Sequence, residues 1–169
     1  MSAATALPDA EATLAALAER MRGAVAHDAA FVGIYSGGAW LAERLPPLVP
    51  GNHPVGYIDV SYYRDDYART GLKSGAKRTD LPFDVDGATI VLVDDVLFTG
   101  RSVRAAINEL FDFGRPACIE LAVLIDRGGR ELPVEPTYCG ARLTVARDLS
   151  VVLSRDADRL RLSVERQEP

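Results

Sequence analysis

The chain has 169 residues, a length that suits one domain. Its 19 basic and 24 acidic side chains give a formal charge of −5, and 48% hydrophobic with 25% charged residues exclude a disordered, collagen-like or coiled-coil chain. The acidic balance argues against general polyanion binding, and the cysteines Cys118 and Cys139 are too few for a disulfide scaffold. No apolar run approaches the roughly 18 residues of a membrane-spanning helix. Met1 to Leu7 lacks the basic segment of a secretory signal, so a cytoplasmic protein with no membrane partner is expected.

Asp9 to Val25 reads as a helix. Leu14, Leu17, Met21 and Val25 recur at steps of three and four, with Asp9 as N-cap and Gly23 weakening the far end. Ala29 to Tyr35 reads as a buried strand, Ser36-Gly37-Gly38 as a turn, and Ala39 to Leu45 as a short helix stopped by Pro46-Pro47. Val55 to Tyr63 is expected as a second strand. From Arg64 to Asp86 the pattern fails, and a long polar loop of this kind is often a functional lid. Thr89 to Val93 is the strongest strand, short, apolar and β-branched, as in a parallel strand covered on both faces. Ser102 to Phe113 reads as a helix, with Val103, Ala106, Ile107 and Leu110 on one face. Ile119 to Ile125 is another buried strand, and shorter apolar pieces follow at Leu143–Val145, Val151–Leu153 and Leu160–Val164. Strands alternating with helices predict an α/β domain built on a mainly parallel sheet.

The chemistry concentrates in Ile90-Val91-Leu92-Val93-Asp94-Asp95-Val96-Leu97-Phe98-Thr99-Gly100-Arg101-Ser102. A carboxylate pair sits at the end of a buried strand, and a small-residue turn opens the next helix. Ligands of open α/β sheets bind at the carboxyl ends of the strands. Thr99, Gly100 and Ser102 suit a phosphate site, offering backbone N–H groups, hydroxyls and the positive end of a helix dipole. A phosphate there leaves Asp94 and Asp95 beside a neighbouring sugar, whose hydroxyls an ionised carboxylate accepts well. For an isolated Asp-Asp, Asp95 as a helix cap with Asp94 as a solvated loop charge would explain the pair equally well. The whole pattern favours the binding site.

This pattern resembles the phosphoribosyl pyrophosphate (PRPP) signature of the phosphoribosyltransferases: apolar strand, two acidic residues, two spacers, Thr-Gly, one spacer, then Ser or Thr. Tyr63-Arg64-Asp65-Asp66, Phe113-Gly114-Arg115-Pro116, Leu121 to Gly128 and Arg130-Glu131-Leu132-Pro133 narrow the likeness. They are similar to the PyrR branch, pyrimidine-operon regulators that are also uracil phosphoribosyltransferases. The likeness runs from about Phe31 to Val152. It implies a parallel sheet flanked by helices with a small hood, from about 127 to 150 plus an N-terminal part. It also implies a lid at about 64–86 within one domain spanning 1–169.

The resemblance carries roles with it. Asp94 and Asp95 would hold the ribose hydroxyls. The backbone of Val96, Leu97, Phe98, Thr99, Gly100, Arg101 and Ser102 would hold the 5′-phosphate. Ser36, Gly37 and Gly38 fall at the pyrophosphate loop, where relatives often carry a basic residue and this chain has none. Arg64 would be catalytic, and Lys73 and Lys77, the only lysines, would act from the lid. Arg127 would lie near the base or leaving group, with a surface ion pair to Asp126 as the plainer alternative. Val151 would offer a backbone group to the uracil edge, or simply pack in the core. The reaction implied is uracil plus PRPP giving UMP and pyrophosphate, with magnesium brought by PRPP rather than by a dedicated metal site. Alternatives are a purine-base enzyme and an RNA-binding attenuator with secondary catalysis. A homo-oligomer, dimer or tetramer, follows from the family.

RNA is expected to bind weakly or not at all. The first helix carries Asp9, Glu11 and Glu19 before Arg20 and Arg22, and Glu131 and Glu135 oppose Arg127 and Arg130. His27 and His53 have no partner at ligand spacing. Cys118 reads as a buried small residue, and Trp40 as a core or interface anchor.

Overall fold

The computed structural model describes residues 6–61 and 78–167. The elements are α1 (Ala10–Met21), β1 (Ala30–Ile34), α2 (Gly37–Arg44), a 3-10 turn (Pro46–Leu48), β2 (Val55–Ile58), β3 (Thr89–Leu97), α3 (Arg101–Phe113), β4 (Cys118–Asp126), β5 (Tyr138–Arg142), β6 (Leu149–Asp156) and β7 (Arg159–Arg166). Five strands form a parallel sheet in the order β2-β1-β3-β4-β5, and β6 and β7 form a separate antiparallel ribbon.

Successive side chains of a strand point to opposite faces, and here both faces are covered. Phe31, Val91 and Val93 pack with Leu14, Leu17 and Met21 of α1 and Leu41 of α2. Val32, Ile34, Ile90 and Leu92 pack on the other side with Val103, Ala106 and Leu110 of α3. The parallel α/β sheet with flanking helices is the one the sequence predicts.

The differences lie at element ends, and each has a local cause. The Asp9 carboxylate accepts from Ala12 N at 2.8 Å, as an N-cap should. The helix stops at Met21 rather than Val25, because Arg22 is extended (ψ 128°) and Gly23 has φ +74°. β2 ends at Ile58, short of Tyr63. The Asp59 carboxylate takes the N–H of Ser61 at 2.9 Å, a local bond that competes with the sheet ladder. β3 runs on past Val93 to Leu97, because β4 stays paired beside it through Leu97 and Asp126. Both acidic residues are therefore strand residues.

The fifth strand precedes the apolar piece Leu143–Val145. Gly140 is required there, since a Cβ would meet Leu124 O at 2.5 Å and the Thr13 methyl at 2.7 Å. Tyr138–Arg142 thus belongs to the main sheet, inside the range expected for the hood. Cys118 is exposed and Cys139 buried, which corrects the expectation for Cys118. Burial along β4 starts only at Leu121, so the first position of that strand faces solvent.

Residues 64–77 of the expected lid lie outside the described residues. The described remainder packs on the body. Asp80 exchanges both backbone bonds with Tyr57 (2.8 and 2.9 Å), and Leu81 and Phe83 lie against the α3-side core. The β6–β7 ribbon is tied to the first helices. Glu11 accepts from both guanidinium ends of Arg44, at 2.9 and 2.6 Å, and from Leu160 N at 2.8 Å. Arg155 lies 5.0 Å over the Trp40 ring, so Trp40 anchors the ribbon. Among the described residues, no helix is long and apolar enough to cross a membrane.

Candidate active site

Asp94 and Asp95 stand at the carboxyl end of the central strand. Asp94 is buried, and its Oδ1 accepts from Asp95 N at 2.9 Å. Asp95 Oδ1 accepts from Val96 N, also at 2.9 Å. Each carboxylate is oriented by the next residue's amide, an arrangement local to this stretch of strand.

The glycine loop lies directly against this pair. The Tyr35–Ser36 peptide bond is cis, and Ser36 leads into α2. A Cβ on Gly37 would overlap the Asp95 side chain, with Cγ at 2.7 Å. A Cβ on Gly38 would overlap Val93 O and lie 3.1 Å from Asp94 Cα. Absence of side chains at 37 and 38 is what lets the loop approach the acidic strand end. Ser36, Gly37 and Gly38 are thereby brought together with Asp94 and Asp95.

The turn from Val96 to Ser102 connects β3 to α3. Leu97 is buried in the core, and Gly100, at φ +92°, is the left-handed N-cap of α3. Thr99 Oγ1 accepts from Arg101 N at 3.2 Å, and Arg104 N donates to Gly100 O at 3.0 Å. The turn's carbonyls are held from outside. Leu97 O accepts from Arg127 N at 3.1 Å, Phe98 O from Arg130 Nη1 at 3.2 Å, and Thr99 O from Glu131 N and Leu132 N at 2.9 and 3.1 Å. Arg101 Nε also pairs with Glu131 at 3.0 Å.

Arg127 is buried, and the surface ion pair with Asp126 does not form. Its guanidinium donates to Leu149 O at 2.5 Å and Ala146 O at 3.0 Å, and lies 3.9 Å over the Phe98 ring. Burial lowers its pKa, and its Nε is enclosed with no hydrogen-bond partner. Asp126 is taken by other arginines. Arg130 binds both of its oxygens at 2.8 Å, and Arg142 binds Oδ2 at 2.8 Å. The Arg130 hydrogen bonds hold the Asp126 carboxyl below the usual carboxylate range against the opposing effect of burial.

Val151 is buried on β6, opposite Val164, with its side chain in the α1-side core. Arg64, Lys73 and Lys77 lie outside the described residues. Asp126 lies in the segment expected beside the base, whereas the pairing of Arg130 with it is not foreseen from the sequence, although their i, i+4 spacing of opposite charges is a signal. His53 Nδ1 faces Ala29 O at 2.8 Å and the ring packs edge-on against Phe31, a structural setting. Among the described residues, no group of three or more His, Cys, Asp or Glu could hold a metal.

The chain is similar to proteins of one family. The family model "Phosphoribosyl transferase domain" matches residues 3–142. "Bifunctional protein PyrR" of Ralstonia nicotianae is 53% identical over 148 residues, covering 88% of this chain and 84% of the relative. The protein of the same name from Pseudomonas aeruginosa LESB58 is 50% identical over 123 residues, covering 73% and 72%. Among solved structures, a hypoxanthine-guanine phosphoribosyltransferase of Bacillus anthracis shares the fold at TM-score 0.63 and 18% identity, covering 84% of each chain. A purine phosphoribosyltransferase of Pyrococcus horikoshii matches at TM-score 0.59 and 28% identity, covering 80% of this chain and 82% of that one. With its acidic strand end, glycine loop and phosphate-type turn in one place, the chain belongs to the phosphoribosyltransferase family, in the branch of the PyrR proteins.

Proposed function

We propose that the protein transfers the ribose 5-phosphate group of PRPP to uracil, giving UMP and pyrophosphate. The bond from the anomeric carbon to pyrophosphate oxygen breaks with its electron pair leaving on pyrophosphate, a bond to uracil N1 forms, and the N1 proton is released to solvent. The reacting carbon passes through a cation-like state, as in other glycosyl transfers. The observation that carries the reading is the contact of Gly37 with Asp95. It sets the backbone of 36–38 beside the acidic pair, where a leaving pyrophosphate and a ribose would be neighbours.

In this reading Asp94 and Asp95 accept from the ribose hydroxyls and face the developing positive charge. The N–H groups of the turn 96–102 and the start of α3 hold the 5′-phosphate. Arg64, Lys73 and Lys77 offset charge on the leaving group. Arg127 and the 146–151 segment border the base, Arg127 by holding the carbonyls of Ala146 and Leu149. Catalysis rests on positioning and charge stabilisation, without a covalent protein intermediate. Side-by-side carboxylates, with no third acidic, His or Cys ligand grouped with them among the described residues, fit magnesium held largely by substrate oxygens and water. When bound, that ion neutralises pyrophosphate charge.

A panel assay with PRPP and uracil, guanine, hypoxanthine or orotate tests the base. Uracil is expected to turn over fastest. Guanine turnover above uracil turnover would overturn the assignment. The relatives' name, with its word "Bifunctional", favours a second role in regulating pyrimidine gene expression.

A further inference from the structure

We infer that Arg130 is a positioning residue for the 5′-phosphate turn, acting through the carbonyl of Phe98 and held in place by Asp126; this rests on the transferase reading above. In a planar trans peptide the N–H points opposite to the carbonyl. Whatever fixes the carbonyl of Phe98 therefore fixes the N–H of Thr99, and whatever fixes the carbonyl of Thr99 fixes the N–H of Gly100. The segment after β4 fixes both. Arg130 Nη1 reaches Phe98 O, and the amides of Glu131 and Leu132 reach Thr99 O. Both N–H groups consequently point away from that segment, preset before any anion arrives. Preset donors need no reorganisation when charge binds.

Arg130 is itself immobilised. Its fork meets both oxygens of Asp126 at 2.8 Å, and its Nε donates to Val134 O at 2.7 Å. Asp126 is 3% exposed and also receives Gly128 N at 3.0 Å. A planar five-donor group is needed to serve Asp126, Phe98 O and Val134 O together, and a lysine cannot do so. Arg130 thus turns an ion pair at the end of β4 into a fixed orientation of the turn at the end of β3.

The test measures binding of ribose 5-phosphate and, separately, of magnesium pyrophosphate to wild type, Arg130→Met and Arg130→Lys. Both variants should bind ribose 5-phosphate at least tenfold more weakly. Pyrophosphate affinity should stay within twofold, and KM for PRPP should rise more than kcat falls. Arg130→Lys, which keeps charge and most of the volume, decides the matter should Arg130→Met not fold. Unchanged ribose 5-phosphate affinity in a folded variant would overturn the inference while leaving the transferase reading intact. An equal loss of both ligands together with a lowered melting midpoint would reduce Arg130 to a structural residue. Failure of wild type to bind ribose 5-phosphate at all would remove the transferase reading and the inference with it.

Discussion

Gly37 and Asp95 occupy adjoining space with no room for another atom: a Cβ on the glycine would lie 2.7 Å from Asp95 Cγ and 2.9 Å from its Cβ. Residues far apart in sequence thus form one surface, with the loop backbone on one side and a carboxylate on the other. Gly33 allows the approach from below. A Cβ there would lie 2.5 Å from Gly38 O and 2.6 Å from Ala39 Cα. The close helix-to-strand packing that positions the site therefore depends on small residues in both β1 and α2.

Gly37→Ala should displace the Asp95 carboxylate and lower kcat/KM for PRPP by roughly tenfold or more, about 1.4 kcal/mol of transition-state stabilisation. The melting midpoint should fall by less than activity suggests, because the Asp95 side chain can swing aside. Steady-state kinetics beside a thermal melt checks this. Wild-type kcat/KM in Gly37→Ala would show that the loop-to-carboxylate contact is not needed for turnover.

Asp94→Asn and Asp95→Asn should each lower turnover at least about tenfold while leaving the fold intact. An asparagine carbonyl can still accept from the following amide, so the bonds from Asp95 N and Val96 N survive. What is lost is negative charge facing the sugar. Full activity in both variants would dissolve the assignment of the acidic pair.

Glu11 is the acid-sensitive tie between helices and ribbon. The Arg44 hydrogen bonds and the Leu160 amide lower its pKa to about 2 from 4.5. A folded pKa below the unfolded one means that the native state binds fewer protons in this window. The stabilisation is therefore complete above about 4.5 and is lost as pH falls towards 2. Glu11 is 30% exposed, so salt should weaken the effect. Glu11→Gln should melt lower than wild type at neutral pH, and the difference should vanish near the bottom of the window. A difference independent of pH would mean that the carboxylate charge contributes nothing.

The central fold was legible because the apolar runs 90–93 of β3 and 121–125 of β4 are short, largely β-branched or aliphatic and buried on both faces, as in a covered parallel sheet. The acidic pair, the turn and the glycine loop were legible because their residue types are tied to backbone geometry: φ +92° at Gly100 and the close approach at Gly37. β5 was hidden by Gly140, whose role depends on α1 lying above it. The function of Arg130 was hidden because a backbone carbonyl carries no residue signature. Arg130 read as one cation among several, and only the folded chain shows it reaching Phe98 O. Arg127 was singled out from the sequence, but its partners, the carbonyls of Ala146 and Leu149, carry no residue signature and appear only in the folded chain.

Affinity for nucleic acid comes largely from cations that displace phosphate counterions. The arginines of the first helix and of the segment after β4 each have an acidic or carbonyl partner, though Arg22, Arg101 and Arg142 stay about half exposed or more. Arg20 donates to Cys139 O, and Arg22 lies 3.6 Å from Glu19. Arg101 is paired with Glu131, and Arg130 and Arg142 share Asp126. Arg130 is only 17% exposed, so it offers little to a phosphate backbone. A chain of net charge −5 has little long-range attraction to compensate. Filter binding to its own pyrimidine-operon leader, at two salt concentrations and with UMP present, should therefore give weak association. The expected dissociation constant is about micromolar or weaker, with a log–log salt slope no steeper than about −3, corresponding to roughly three phosphates neutralised. Glu131→Gln, which removes one carboxylate partner of Arg101, should steepen that slope. Tight, sequence-dependent binding with a steep slope in the wild type would show instead that several subunits combine Arg20, Arg22 and their neighbours into one basic surface.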